Sequence, residues 1–270
     1  MKWILIFFLF IILTILTQIG GLILLLTILI GRILFQHRLS KYPAFKTTIL
    51  FLVLYLVFTF LIVPPIAQLF GRSPLPVFKN STLKPASFCS YLFNRHYVKN
   101  ELSAALEVIG NEFHYQYPEY HVLYLDANFP FFDGFPLLPH LSHNDGKKVD
   151  MAFYYLVKDK PLVNDVPTLT GYGYFINPQK GEFNQTEKCI SSGNWQYDFT
   201  GSLVFQDQNK YQLDEPKTKY LLELIAKNPK IGKVFLEPHL KNRLGFAEAN
   251  KIRFQGCHSV RHDDHIHIQL

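Results

Sequence analysis

Two long stretches near the start of the chain carry no charged residue. Residues 3–31 form a run of 29 dominated by Leu, Ile and Phe, and residues 47–71 form a second run of 25. About 20 apolar residues suffice for a helix to cross the hydrocarbon core of a bilayer. The pattern therefore predicts two transmembrane helices, about 3–31 and 47–70, joined by a short loop into an anchoring hairpin. The first run is far longer than the roughly 7–15 apolar residues of a signal peptide, and no A-x-A-like site follows it, so it reads as a retained span. Helices of a soluble core rarely lack a charge over such lengths. Pro64 and Pro65 predict a kink or an early end to the second helix.

Beyond residue 72 the pattern changes. Pro74, Pro76 and Pro85 mark residues 73–87 as linker, part of a 73–98 connection between a 1–72 membrane segment and a 99–270 domain. Leu102, Leu106 and Ile109 recur near helical spacing and predict a helix over 100–113. Residues 120–125 (YHVLYL) and 149–157 (VDMAFYYLV) read as strands. Residues 127–141, rich in Phe, Pro and Gly, read as an ordered loop. Leu221, Leu222 and Ile225 give a helix over 217–227 its apolar side. A short strand at 234–236, a short helix at 239–244 and a closing strand at 265–270 complete the set. Strands and helices mix without a βαβ repeat, which predicts an α+β domain.

Charge sharpens this division. Residues 1–72 hold Lys2, Arg32, Arg38, Lys41, Lys46 and Arg72 and no Asp or Glu, so the formal charge of +6 belongs to the first quarter of the chain. The rest is neutral, with 21 basic and 21 acidic residues. A basic nucleic-acid-binding surface is thereby excluded as the source of the charge, and no nucleic-acid partner is expected. Four of the six bases lie in the 32–46 loop, which the positive-inside rule places in the cytoplasm. Lys2 opposes them singly. Both termini are then expected outside, with residues 72–270 extracytoplasmic and the lipid bilayer contacted through the two helices. Cys89, Cys189 and Cys257 would face an oxidising compartment. One disulfide is possible there, and spacing does not choose the pair. The sequons at Asn80 and Asn184 are short patterns and carry no weight.

The candidate chemistry lies in the histidines. Four of the 11 fall in the last 13 residues: His258, His262, His265 and His267. A second cluster, LPHLSHNDGKKVD, holds His140, His143 and Asp150. Any one of these taken alone reads as an ordinary surface or core residue; the two clusters together fit a metal site. His265 and His267 are two apart on a predicted strand, so they leave its same face. One can bind metal while the other faces substrate. Gly146 lets the chain turn between His143 and Asp150, so that both converge. Two His and one carboxylate leave a fourth tetrahedral position for water, the pattern of a catalytic zinc site. By spacing alone Asp145, Asp263 and Asp264 also stay open as ligands.

Ser142-His143-x-x-Gly146-x-x-x-Asp150, followed downstream by His265-x-His267, resembles the metallopeptidases that include lysostaphin-type enzymes and D-Ala-D-Ala peptidases. The closer resemblance is to penicillin-insensitive murein endopeptidases. Those show a His two residues before the Ser-His pair, here His140, and an ending of the form H-D-x-H-x-H, here His262-Asp263-Asp264-His265-Ile266-His267. The likeness extends over roughly 120–270. It implies a small antiparallel sheet flanked by helices, with Zn2+ held by His143, Asp150 and His267 and with His140 as a nearby or additional ligand. It makes His262 and His265 catalytic, as base or as stabiliser of the tetrahedral intermediate. The implied activity is hydrolysis of peptidoglycan peptide cross-links by a multi-pass protein of the bacterial inner (cytoplasmic) membrane, its C-terminal domain periplasmic. A D-Ala-D-Ala carboxypeptidase or dipeptidase on the same metal, and a catalytically silent wall-binding protein, are the alternatives. The chain departs from the family in its two membrane runs and in Val260-Arg261, where an aromatic-glycine pair often stands.

Overall fold

The computed structural model describes residues 2–35, 43–78, 81–199, 201 and 207–270. Arg38 and Lys41 of the basic loop and Asn80 of one sequon lie outside the described residues.

The first apolar run is two helices, not one. α1 (Lys2–Thr17) and α2 (Gly20–Phe35) are separated by a tight bend in which Gln18 adopts a left-handed φ of 65°. The Thr17 hydroxyl accepts the Gly20 N–H at 2.9 Å and so caps α2. Glycine at position 21 is required by the close approach of the two helices: a Cβ there would stand 2.1 Å from Thr14 Oγ1. α2 returns antiparallel to α1, since the Arg32 guanidinium lies 5.2 Å from the centre of the Trp3 ring. The start of the chain and the start of the basic loop therefore share one end of the helical layer. A single 3–31 span would have put them at opposite ends. α3 (Pro43–Leu69) is the one described helix long and apolar enough to cross a membrane, by length and composition. It continues through Pro64 and Pro65, with a π-helical turn at Phe58–Ile62 immediately before them. Such a turn absorbs backbone groups that proline leaves unbonded.

Among the described residues, the remainder mixes helices with three sheets. The largest has six strands, in the order β10 (Ile252–Arg253), β9 (Lys233–Phe235), β11 (His265–Gln269), β5 (Lys148–Ala152), β4 (Val122–Tyr124) and β2 (Leu83–Pro85). Its four central strands are antiparallel, but β10 pairs parallel with β9 and β2 parallel with β4. The sheet is thus larger than the small antiparallel one expected. The presumed linker is also part of the fold. It supplies β2 and also β1 (Arg72–Pro74), which pairs with β3 (Tyr97–Lys99). Pro85 is tolerated because β2 is an edge strand.

The run 149–157 is broken at Phe153 and Tyr154. β5 ends at Ala152, and β6 (Tyr155–Val157) joins a separate sheet between β7 (Lys160–Pro161) and β8 (Tyr211–Leu213). The break is held by the helix Glu215–Lys227: the Thr218 hydroxyl accepts the Tyr154 N–H at 3.2 Å. One face of the central sheet carries Val149, Met151, Ile266 and Ile268 into the main core. Leu102, Leu106, Ile109 and Phe113 of the helix Asn100–Gln116, with Leu221, Leu222 and Ile225 of Glu215–Lys227, cover that face. The opposite face is left for polar residues.

Candidate metal centre

Strand register places the first two candidate ligands. His267 on β11 stands directly opposite Asp150 on β5, and His265 opposite Ala152. Directly opposed residues have Cβ atoms about 5 Å apart on one face. His267 Nδ1 lies 2.8 Å from Asp150 Oδ1. The third candidate comes from the loop between β4 and β5. The His143 N–H donates to the His140 carbonyl at 2.9 Å. Gly146, with φ at +78°, turns the chain back into β5, and its N–H donates to Asn128 Oδ1 at 3.0 Å. A Cβ at Gly146 would meet Arg72 Nε and Lys99 Cγ, each at 3.1 Å.

His143 Nε2 then lies 3.0 Å from His267 Nδ1 and 3.2 Å from Asp150 Oδ1. His143 Nδ1 faces the Ala127 carbonyl at 2.7 Å. With the ring proton donated there, Nε2 keeps its lone pair for a cation. The three ligand atoms lie within 4.8 Å of one another and all three residues are buried, so this group can bind a metal ion. Two imidazoles and one carboxylate suit a borderline ion with an open coordination position.

The surroundings orient these ligands. The Tyr172 hydroxyl donates to Asp150 Oδ2 at 2.7 Å and accepts the Asp126 N–H at 3.0 Å. Burial, followed by the Asp150 and Asp126 charges, pushes the Tyr172 phenol well above its usual range, so it stays a donor. Burial alone would raise the Asp150 carboxyl, but the neighbouring imidazoles, His143 and His265 first and then His267, hold it well below its usual range. His265 presents Nδ1 to the Asp264 carboxylate. Its Nε2 is buried, has no hydrogen-bond partner among the described residues, and lies 3.8 Å from Asp150 Oδ1. Burial opposes the imidazolium, yet Asp150 and Asp264 push His265 up to about 9. The His262 ring lies 5.0 Å from that of His265 and 5.7 Å from that of His267, and burial drives it well below 6.5.

All six candidate residues are therefore gathered on one face. His140 stands beside the tight group rather than within it: its Nδ1 is 3.4 Å from Asp126 Oδ2 and 3.5 Å from Asp150 Oδ2. The other acids left open by spacing are engaged elsewhere. Asp145 pairs with Lys148 at 2.6 Å, Asp263 with Arg261 at 2.6 Å, and Asp264 with His265. The disulfide joins Cys189 to Cys257, and Cys89 is a free thiol. A cleft of about 510 Å³ opens beside His140, Tyr172, Asp264 and His265, with Arg95 in its wall.

Three residues of the site were missed in the sequence. Asp126 holds Arg95 at 3.1 Å and faces His140. Tyr172 holds Asp150. Glu237 takes the His262 N–H at 3.1 Å, and burial, then the Asp263 charge, push its carboxyl up to about 7. Only Tyr172 left a trace, in the Gly171-Tyr172-Gly173 turn whose glycines both have positive φ. The chain matches no protein-family model, and no curated protein is significantly similar to it.

Proposed function

We propose that the chain is a membrane-anchored zinc metallopeptidase that hydrolyses peptide cross-links of peptidoglycan outside the cytoplasmic membrane. The observation that carries this reading is the convergence of buried His143, Asp150 and His267 beside a cleft bordered by His265. The resemblance of the same residues to murein endopeptidases supplies the substrate class. Zinc in this site would acidify a water to a pKa of roughly 7 and polarise the scissile carbonyl. The chain's own residues divide the remaining work. Asp264 orients the His265 ring through Nδ1 and leaves Nε2 directed at the metal-ligand group. From there His265, as a cation, stabilises an oxyanion or passes a proton to the leaving amine. His262, neutral and adjacent, is the candidate base. The His140–Asp126–Arg95 chain fixes the cleft wall.

With α3 as a span and the basic loop inside, the cleft would lie on the side of the membrane where murein lies, which agrees with this substrate. A carboxypeptidase acting on D-Ala-D-Ala ends is the second reading. Arg95 favours it, because a guanidinium in the cleft is a partner for a terminal carboxylate. Digestion of purified sacculi by the zinc-loaded full chain in detergent, with product masses, tests the proposal. Release of monomers from cross-linked dimers is expected; release of D-Ala alone would select the second reading, and no product would leave a silent wall-binding protein.

A further inference from the structure

The wall of the cleft is built on the membrane helix. Residues 88–95 line the cleft through Cys89, Ser90, Phe93 and Arg95, and the same segment is fastened to α3. The Tyr55 hydroxyl donates to the Leu92 carbonyl at 2.5 Å. Asn94 Nδ2 reaches the Tyr55 and Thr59 hydroxyls at 3.3 and 3.5 Å. The Phe60 ring lies 5.4 Å from Phe78 and 6.1 Å from Tyr91.

These contacts are far from the end of the helix. Thr59 and Tyr55 precede Leu69 by 10 and 14 residues, or about 15 and 21 Å at 1.5 Å per residue. Lys46 marks the inner limit of the apolar stretch. A hydrocarbon core of about 30 Å measured from there takes about 20 residues and ends near Ile66. Thr59 and Tyr55 then fall about 10 and 16 Å inside the outer boundary, from the outer leaflet to the midplane, and the Leu92 and Asn94 groups bonded to them reach into the core with them.

The side chains around the mouth suit this depth. Leu169 lines the cleft, is joined by its carbonyl to the Ser87 hydroxyl at 2.7 Å, and is 70% exposed. Outside the cleft lining, Phe78, packed on Phe60 of α3, is 76% exposed, and Phe88, next in the chain to the lining residue Cys89, is 46% exposed. Large exposed apolar side chains continuous with an apolar span form a surface for acyl chains. We infer that the cleft opens into the outer leaflet, and that its substrate is a cross-linked peptide on a strand still carried by a membrane lipid, in preference to one on a strand free of the membrane. The substrate half of this inference rests on the peptidase reading; the placement of the cleft does not.

The test has two arms, both on the full chain in phosphatidylethanolamine–phosphatidylglycerol vesicles. In the first, a lipid bearing a diazirine on its acyl chain is photolysed and the adducts are mapped by mass. Adducts on Phe78, Phe88 and Leu169 as well as on α1–α3 are expected. Adducts confined to α1–α3 would mean that water or another protein covers the mouth, and would overturn the placement. In the second arm the zinc-loaded chain receives one cross-linked muropeptide, free or coupled to a prenyl chain. Turnover of the coupled form should be faster by at least about tenfold, because the membrane raises its concentration at the cleft. The Phe78→Asp, Phe88→Asp double variant should lose that advantage and keep its turnover of free peptide. Equal turnover of the two forms by the parent overturns the substrate assignment. Cleavage of neither overturns the peptidase reading and the assignment with it, while the adduct map still decides where the cleft lies.

Discussion

Asp150→Asn removes the single negative charge of the candidate ligand set while keeping its shape and an oxygen for the Tyr172 hydroxyl. The effect on metal binding should be large. Loss of a hydrogen-bonding partner of a ligand costs roughly 10–100-fold in affinity, and here the ligand itself loses its charge, so zinc affinity should fall by at least about 100-fold. The metal-free chain should respond too, through His265. The rise of His265 from 6.5 to about 9 corresponds to about 3 kcal/mol of folding free energy. Because the folded value is raised, that contribution is complete below pH 6.5 and is lost as pH climbs through 9. His262 and His267 act in the other window: burial lowers both, His267 to about 4, so they cost stability as pH falls from 6.5 toward 4. After burial, which opposes it, Asp150 is the largest influence on His265. Asp264 and Asp263 remain in the asparagine variant, so its alkaline destabilisation should be smaller than the parent's without vanishing. The measurements are zinc competition against a chromogenic chelator, and denaturation of the chelator-stripped full chain in detergent at pH 5, 7, 9 and 10, followed by circular dichroism. Zinc affinity within about threefold of the parent would refute the ligand set. Equal alkaline losses would refute the coupling of His265 to Asp150.

His265→Ala should keep zinc near the parent level and lose roughly 10²–10⁴ in turnover of a cross-linked muropeptide; loss of zinc in this variant would mean that ligand and catalyst are exchanged. His262→Ala should behave the same way, with metal content by elemental analysis paired to turnover, and normal turnover would make it a bystander. Tyr172→Phe should weaken zinc by roughly 10–100-fold through the lost bond to Asp150, and an unchanged affinity would show that the bond does not position the ligand. Reporters fused at the N-terminus and inserted near Ser40 should both behave as cytoplasmic, and one after Leu270 as extracytoplasmic; an N-terminal fusion that reports the outside would contradict the α1–α2 hairpin.

How much of the site was legible depended on the range of the interactions. His265 and His267 share a face because strand periodicity is local, and Gly146 turns the loop because its conformation is local. That Asp150 stands opposite His267 is set by the register of strands more than 100 residues apart, which no local pattern contains. Asp126, Tyr172 and Glu237 were missed for the same reason: each acts through partners brought to it by the fold. The strand 149–157 was read as one because its apolar run is continuous, while its break is imposed from outside by Thr218. The linker was misread because proline argues only against a central strand, and β2 is at an edge.

The membrane segment was misread more instructively. In an uncharged run, hydropathy reports the total apolar length and not the point where the chain reverses. That point was written in Thr14, Thr17, Gly20 and Gly21, the pattern of two helix backbones in close contact. The reversal removes a difficulty in the charge argument. With a single first span, Lys2 stood on the side opposite the basic loop. With the hairpin, Lys2 begins α1 at the end where Arg32 lies in α2, so it joins the bases it had opposed. Arg72, the remaining base of this segment, lies beyond the other end of α3, where it is buried and ion-paired with Asp133. A neutralised arginine gives little reason to hold that end inside. Among the described residues, Lys2, Arg32 and Lys46 then stand at one end of the helices and Arg72 at the other, which agrees with the proposal that the histidine face of the sheet, and the cleft beside it, lie outside the cell.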